Sequence, residues 1–231
     1  MTNDTDEVRY DTLDDLVAAA RALLGDRRRV VLGIPGSPGS GKSTLGEHLA
    51  TALADVAVLV GMDGFHLAQE ELDRLGRHER KGAPDTFDAL GYVNLLRRLR
   101  VADEDVVYAP RFDRDLEEPI ACAVPVRRDV RLVITEGNYL LVDQPGWSQV
   151  RELLDACWYV DPGEDVRIER LIARHVGHGR SVDEARERSL GTDQRNAEVI
   201  ALTRSRADRV VVVPPSNPGT PGRHHHPDLL T

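Results

Sequence analysis

Eight consecutive residues constrain the fold of this chain more than any other stretch. They fit the phosphate-binding pattern G-x-x-x-x-G-K-[ST] and are Gly36, Ser37, Pro38, Gly39, Ser40, Gly41, Lys42 and Ser43. An apolar, β-prone run at 29–34 precedes them, and Thr44, which we include in the predicted site, opens a stretch with apolar residues at helical spacing. A strand, loop and helix in this order predict a polyphosphate pocket, because the loop amides and the helix N-terminus attract anions.

Two side chains of the loop have distinct predicted tasks. Lys42 would reach the β- and γ-phosphates, and the Ser43 hydroxyl would ligate the Mg²⁺ that accompanies a nucleotide. The alternative is a flexible turn that matches by chance, which the flanking strand and helix patterns disfavour. Only two of the 30 basic residues, Lys42 and Lys81, are lysines. A lysine kept against that bias indicates a need for a compact charge, although a chance surface position is an equal alternative for Lys81.

Two later strands are predicted to end in acidic residues at the same edge of a sheet. The apolar run 56–61 is typical of a strand buried on both faces and leads into Asp63, and the run 130–135 leads into Glu136. Ligands of open α/β sheets bind beyond the carboxyl ends of the strands, so both carboxylates should face the phosphates. Asp63 could accept the proton of an attacking hydroxyl, and Glu136 could orient that hydroxyl or the Mg²⁺ hydration shell. The alternatives are an aspartate that caps a turn and a glutamate that ends its strand in solvent.

Candidate substrate contacts lie between and after those strands. Residues 67–87 have mixed charge and no strong period, which favours a mobile loop on the substrate side. Two β-like runs at 106–108 and 120–124 predict a small antiparallel appendage. The candidate substrate contacts are His66, Lys81, Tyr108, Arg111, Asn138 and Tyr139. A surface ion pair is an equal alternative for Arg111, and His66 could simply flank the substrate.

The chain after residue 162 is mostly helical in pattern and rich in arginine. A helix, glycine, helix joint could close over a transferring phosphoryl group, with Arg170 and Arg174 as candidate nucleotide contacts. A solvated amphipathic face is the alternative for some of these arginines. The run 209–213 is the predicted last core strand, so residues 1–213 should form one domain. The proline- and histidine-rich tail, 214–231, is predicted to be flexible.

Composition argues against several classes of function. The formal net charge is −9 and no long basic run occurs, so neither nucleic acid nor anionic membrane is an expected partner. The acidic N-terminus is unlike a signal peptide, and no apolar run approaches the ~20 residues of a membrane span, so we expect a cytoplasmic protein. The sequence is compatible with a monomer and with a homodimer. Cys122 and Cys157 lie in apolar runs, which favours buried reduced thiols over a disulfide or a metal site.

Four stretches together resemble the superfamily of phosphoribulokinase, uridine kinase and bacterial pantothenate kinase. They are the phosphate loop, Met-Asp-Gly-Phe-His at 62–66, Arg-Lys-Gly-Ala-Pro at 80–84 and Thr-Glu-Gly-Asn-Tyr at 135–139. The resemblance implies a P-loop α/β fold, with a five-stranded parallel sheet, helices on both faces and a helical lid. It also implies a kinase that uses ATP and Mg²⁺ to phosphorylate a hydroxyl of a small molecule such as a nucleoside, a pantothenate-like compound or a sugar. Asp63 matches the proposed base of that family, and 80–84 matches the loop that lines the acceptor pocket of pantothenate kinases.

A second function class stays open, a nucleotide-hydrolysing switch in which Asp63 or Glu136 orients water. A switch would need neither a base after the second strand nor a lysine-containing pocket loop, so the kinase is favoured. The guanine-recognition motif Asn-Lys-x-Asp does not occur in the sequence. The preference for ATP over GTP is implied by the resemblance alone.

Overall fold

A computed structural model describes residues 12–212 of the protein. The strands of its central parallel sheet are β1 (Val30–Pro35), β2 (Ala57–Gly61), β5 (Leu132–Gly137), β6 (Ala156–Val160) and β7 (Arg209–Val211). They lie in the order β2, β5, β1, β6, β7. Two further strands, β3 (Val106–Asp113) and β4 (Glu118–Arg127), form an antiparallel hairpin outside that sheet. The predicted five-stranded parallel sheet and the small antiparallel appendage are therefore confirmed.

Helices connect these strands in the described part of the chain. They are α1 (Leu13–Ala22), α2 (Lys42–Ala52), α3 (Gln69–Arg74), α4 (Ala89–Val101), α5 (Glu164–Gly177), α6 (Val182–Leu190) and α7 (Thr192–Ala201). Short 3₁₀ turns occur at Met62–Phe65, His78–Arg80, Pro84–Thr86, Arg151–Leu153 and Arg204–Arg206. The side chains of Thr12, Asp88 and Ser181 each accept a hydrogen bond from an amide in the first turn of a helix. Such caps satisfy N–H groups that the helix itself leaves unpaired.

Two hydrophobic clusters cover the opposite faces of the sheet. Leu32 packs with Leu45 and Leu49 of α2, whereas its neighbour Val31 packs with Leu96 of α4. This division follows from strand geometry, because successive side chains point to opposite faces. β1 and β5 are buried throughout. β2 lies at the sheet edge and is mostly half-buried, so its predicted burial on both faces was wrong.

The two cysteines occupy different environments, although both thiols are free. Cys157 in β6 is buried as predicted. Cys122 is exposed in β4, with a φ of +57° beside an irregularity in the hairpin register. Its predicted burial was wrong because β4 belongs to a two-stranded hairpin rather than to the core sheet.

Two further expectations concern the ends of the chain and the membrane. The predicted flexible tail, 214–231, and the acidic N-terminal residues lie outside the described residues. Among helices within 12–212, none combines the length and apolar character that a membrane crossing requires.

Candidate active site

The phosphate loop joins the carboxyl end of β1 to the start of α2. Gly39 and Gly41 have φ values of +84° and +95°, which residues with a Cβ rarely adopt. A Cβ on Gly39 would also lie 2.5 Å from the backbone oxygen of Arg167 in α5. Glycine is therefore required both by the curl of the loop and by its contact with α5.

The loop and its surroundings fit the phosphates of a nucleotide. Ser40 Oγ and Glu136 Oε2 are buried and have no hydrogen-bond partner among the described residues. A buried polar atom without a partner costs about 1–3 kcal/mol, so atoms of this kind mark places where a ligand or water binds. Lys42, in the first turn of α2, is only 8% exposed. Together with the amides at the start of α2, Ser40 and Lys42 form an anion site, whereas the Glu136 oxygen is an acceptor for a cation or a proton donor.

Lys42, Asp63 and Glu136 meet at the carboxyl edge of the sheet. Parallel pairing places Gly61 of β2 opposite Glu136 of β5, and Asp63 follows in the turn Met62–Phe65. Burial lowers the pKa of Lys42, and the charges of Glu136 and Asp63 oppose that shift. Burial and the charge of Asp63 raise the pKa of Glu136 to about 7, against the attraction of Lys42. Three ionisable groups in one poorly hydrated space are typical of a site that moves protons or phosphoryl groups.

Ser43 and Glu136 offer oxygen atoms to a divalent cation. The Ser43 hydroxyl lies beside the Glu136 carboxyl and, with nearby cations, opposes the rise in pKa that burial causes there. Mg²⁺ prefers oxygen ligands and usually takes one or two from the protein and the others from phosphates and water. Within residues 12–212, no group of three or more His, Cys, Asp or Glu side chains is arranged as a metal cage. The residues present therefore fit a metal ion that arrives with the nucleotide.

The β3–β4 hairpin packs on the turn that carries Asp63. A Cβ on Gly64 would lie 2.7 Å from the backbone oxygen of Pro110, so β3 rests directly on this turn. Arg114, in the hairpin turn, has its Nη2 atom 4.0 Å from Asp63 Oδ2. The predicted site did not include Arg114. The available signal was its place in the turn between two predicted strands of the appendage.

Lys81 attaches the hairpin to the neighbouring loop. Its Nζ donates hydrogen bonds to the Glu117 backbone oxygen at 2.6 Å and to Gln69 Oε1 at 3.4 Å. It also lies 5.5 Å from the centroid of the Phe112 ring, within cation–π range. The backbone N–H of Gln69 in turn donates to Glu118 Oε1 at 2.8 Å. A compact ammonium group is thus used here to join three segments, and a direct contact of Lys81 with substrate stays a prediction.

His66 and Tyr139 lie among aromatic rings close to Asp63 and to the 80–84 loop. The His66 ring centroid is 4.0 Å from that of Phe87, and His66 Nδ1 donates to the Asp63 backbone oxygen at 2.8 Å. Burial lowers the pKa of His66. The Tyr139 hydroxyl donates to the Gly82 backbone oxygen, which ties the 80–84 loop to the end of β5.

The remaining candidate substrate contacts differ in their surroundings. Asn138 Oδ1 is buried and has no hydrogen-bond partner among the described residues, which leaves an acceptor available beside Glu136. Tyr108 is 54% exposed on β3, and Arg111 is an exposed residue of the same strand. Tyr108 and Arg111 therefore lie exposed on β3, and their contact with a substrate stays a prediction.

Helix α5 presents arginines to the phosphate loop. Arg170 donates to the Ser40 backbone oxygen at 3.3 Å, and the buried Arg167 donates to the Pro38 backbone oxygen at 3.2 Å. Burial lowers the pKa of Arg174 most, and the charge of Arg114 lowers it further. Arg167 was not among the predicted nucleotide contacts, although its spacing from Arg170 and Arg174 places all three near one face of the helix.

A cavity of about 450 Å³ adjoins the phosphate loop. Its walls come from the loop, the end of β6 and the segment after it, the start of α5, α7 and the turn Arg204–Arg206. They include Ser37, Ser40, Tyr159, Pro162, Gln194 and Arg204. Apart from Ser37 and Ser40, the sequence did not predict these residues as part of a site. The cavity is large enough for the nucleoside part of a nucleotide whose phosphates lie in the loop.

A family model decides which group of P-loop proteins this arrangement belongs to. The model described as "Phosphoribulokinase / Uridine kinase family" matches residues 31–218. The chain belongs to the phosphoribulokinase/uridine kinase family. This is a family of phosphotransferases with the P-loop fold, which confirms the resemblance found in the four sequence motifs.

Individual relatives of this family member cover most of its length. The "putative uridine kinase C227.14" of Schizosaccharomyces pombe is 37% identical over 194 residues, which are 79% of this chain and 83% of the relative. YggC of Escherichia coli K12 is 32% identical over 198 residues, 84% of this chain and 81% of YggC. The crystal structure of a "putative fructose transport system kinase" of Silicibacter sp. TM1040 matches with a TM-score of 0.79 and 38% identity, over 87% of this chain and 99% of that one. Two of these relatives carry kinase names, and those names suggest different acceptors, uridine and fructose.

Proposed function

We propose that this family member transfers the γ-phosphoryl group of ATP to a hydroxyl of a small metabolite, in the presence of Mg²⁺. The acceptor class is a nucleoside, a pantothenate-like compound or a sugar. The observation that carries the proposal is the position of Asp63, which follows β2 at the same sheet edge as Lys42 and Glu136. A carboxylate at that point can accept a hydroxyl proton while the lysine offsets the charge of the phosphoryl group.

The phosphates would be held by the loop amides, Lys42 and Arg170. Bound phosphates would oppose the effect of burial on the pKa of Lys42 and so favour its charged form. Ser43 and Glu136 would hold Mg²⁺, which when bound offsets phosphate charge and orients the phosphoryl group. The cavity beside Ser37 would take the nucleoside.

Asp63 would receive the proton of the attacking hydroxyl. Its side chain is 31% exposed, so a small molecule can reach it. Glu136 is a weaker candidate for this task, because its raised pKa in the nucleotide-free protein means that it keeps a proton more readily. Two carboxylates in different environments, one accessible and one buried, are a common basis for separate tasks in a site. His66 and the 80–84 loop would line the acceptor side.

A screen of ADP release with Mg·ATP tests this function. The acceptors are nucleosides, pantothenate and sugars, and ³¹P NMR identifies the phosphorylated product. Release of ADP that requires one acceptor, and that yields its phosphate ester, supports the kinase. Release at the same rate with and without every acceptor would contradict it and favour a nucleotide-hydrolysing switch. Lys42→Ala protein, prepared in the same way, is the control for contaminating kinases.

A further inference from the structure

Arg114 differs from most arginines in the described part of the chain. Arg29 and Arg151 each donate at least three hydrogen bonds, whereas the charged contact of Arg114 is with Asp63 Oδ2 at 4.0 Å. That distance exceeds a hydrogen bond. The side chain of Arg114 is 51% exposed, so its planar set of N–H donors is accessible.

The backbone that carries Arg114 is nevertheless held firmly. Asp113 Oδ1 accepts hydrogen bonds from two amides of the hairpin turn at 3.0 and 3.1 Å. Lys81 donates to the Glu117 backbone oxygen on the far side of the same turn. Close packing of Gly64 against β3 fixes the hairpin beside Asp63. Arg114 is therefore presented to the site by an anchored turn, while its guanidinium group remains available.

Three cations from three different elements act on the same space. Besides burial, the charges of Arg174 and Arg114 lower the pKa of Lys42. The pKa of Arg174 is lowered mainly by its burial and, to a smaller extent, by the charge of Arg114. Asp63 lies 4.0 Å from Arg114, and Glu136, whose raised pKa favours its protonated form, adds less than a full second negative charge against these three positive ones. A cluster of this kind is stabilised when a further anion enters it.

We infer that Arg114 is a further catalytic residue, and that its guanidinium group contacts the phosphoryl group during transfer. The inference rests on the proposed function. In that reaction a bond forms between the acceptor oxygen and the γ-phosphorus, the bond from that phosphorus to the bridging oxygen of ADP breaks, and the hydroxyl proton passes to Asp63. A guanidinium group can donate two parallel hydrogen bonds to phosphoryl oxygens. Arg114 lies 4.0 Å from Asp63, the carboxylate that would receive the proton, so its guanidinium group is beside the point of transfer rather than at a remote part of the acceptor.

Binding of a transition-state mimic tests this inference without knowledge of the acceptor. The measurement compares the affinity for Mg·ADP with that for Mg·ADP plus aluminium fluoride, which imitates a phosphoryl group in transfer. Arg114→Ala should bind Mg·ADP within about two-fold of the wild-type protein and lose about 10²–10³-fold in affinity for the aluminium fluoride complex. Arg114→Lys should lose less. Arg127→Ala, at an exposed position of the same hairpin, is the control and should leave both affinities unchanged.

Two other results for Arg114→Ala would overturn the inference. Equal losses for the two ligands in Arg114→Ala would show that the arginine only binds the nucleotide. Unchanged affinities, combined with a higher KM for an acceptor, would show that it binds the acceptor. Failure of the wild-type protein to bind either ligand would instead refute the proposed function, which distinguishes the two failures. A second readout is rescue, because guanidinium ion at low concentration should restore turnover to Arg114→Ala and not to Lys42→Ala.

Discussion

Replacement of Glu136 by glutamine should change how the stability of the nucleotide-free protein depends on pH. Burial, and then the charge of Asp63, raise the pKa of Glu136 from an ordinary 4.5 to about 7. In the unfolded chain the carboxyl group returns to its ordinary pKa, so unfolding between these two values releases a proton. The free energy of unfolding therefore falls as pH rises through this window. At about 1.36 kcal/mol per pKa unit, the fall amounts to about 3 kcal/mol.

Urea unfolding at several pH values between about 5 and 8 measures this effect. Glu136→Gln cannot ionise, so its stability relative to the wild-type protein should rise toward the alkaline end. Replacement of a carboxyl group by an amide changes its hydrogen bonds at every pH and so shifts the whole curve of the variant. The slope with pH is therefore the readout. Glu47→Gln, at an exposed position of α2, is the matched control and should run parallel to the wild type. A parallel curve for Glu136→Gln as well would refute the reasoning.

Substitutions at three further positions test the loop and the hairpin. Lys42→Ala should lower turnover by about 100-fold or more, with the circular dichroism spectrum unchanged. Lys42→Arg should also lose turnover, because a guanidinium group is too large for the buried position of the lysine. Near-normal turnover of either variant would remove Lys42 from the site. Gly64→Ala places a Cβ 2.7 Å from the backbone of β3, so its free energy of unfolding in urea should fall by about 1–3 kcal/mol. The control is Gly177→Ala, whose added Cβ meets nothing within 4 Å and should not lower that free energy. Equal stabilities of these two variants would contradict the close packing of the hairpin. Lys81→Met keeps the apolar stem and loses the hydrogen bond to Glu117, so hydrogen exchange in the hairpin turn should become faster; unchanged protection would show that Lys81 does not hold the hairpin.

The central sheet and the phosphate loop could be predicted because their signals are local. A glycine-rich motif between an apolar run and a helical pattern defines its own geometry, and the apolar runs alternate with helical patterns as in a parallel sheet, although they do not give the order of its strands. The edge position of β2 could not be predicted, since an apolar run has the same appearance in an edge strand as in a central one. Cys122 was misjudged for a related reason, because an apolar run does not reveal whether its strand joins the core.

The site was predictable where its residues follow strand ends and less so where tertiary packing decides. The sequence placed Asp63 and Glu136 at the same edge of the sheet, and the pairing of β2 with β5 brings them together there. Arg114 comes close to Asp63 only because the hairpin folds back on the turn that contains Gly64. No local pattern encodes that contact. Lys81 was singled out for its compact charge, but the backbone oxygen that it binds could be found only from the structure.

The parallel measurement of turnover and Mg·ATP affinity in Asp63→Asn tests the central claim most directly. Asparagine keeps the shape of the side chain and cannot accept the hydroxyl proton, so phosphoryl transfer should fall by about 10²–10⁴-fold. Affinity for Mg·ATP should barely change, because Lys42, Ser43 and the loop amides would make most of the contacts to the phosphates. A loss of affinity in proportion to the loss of rate would place Asp63 in the metal shell and contradict its assignment as the base. A normal rate would exclude Asp63 from the reaction.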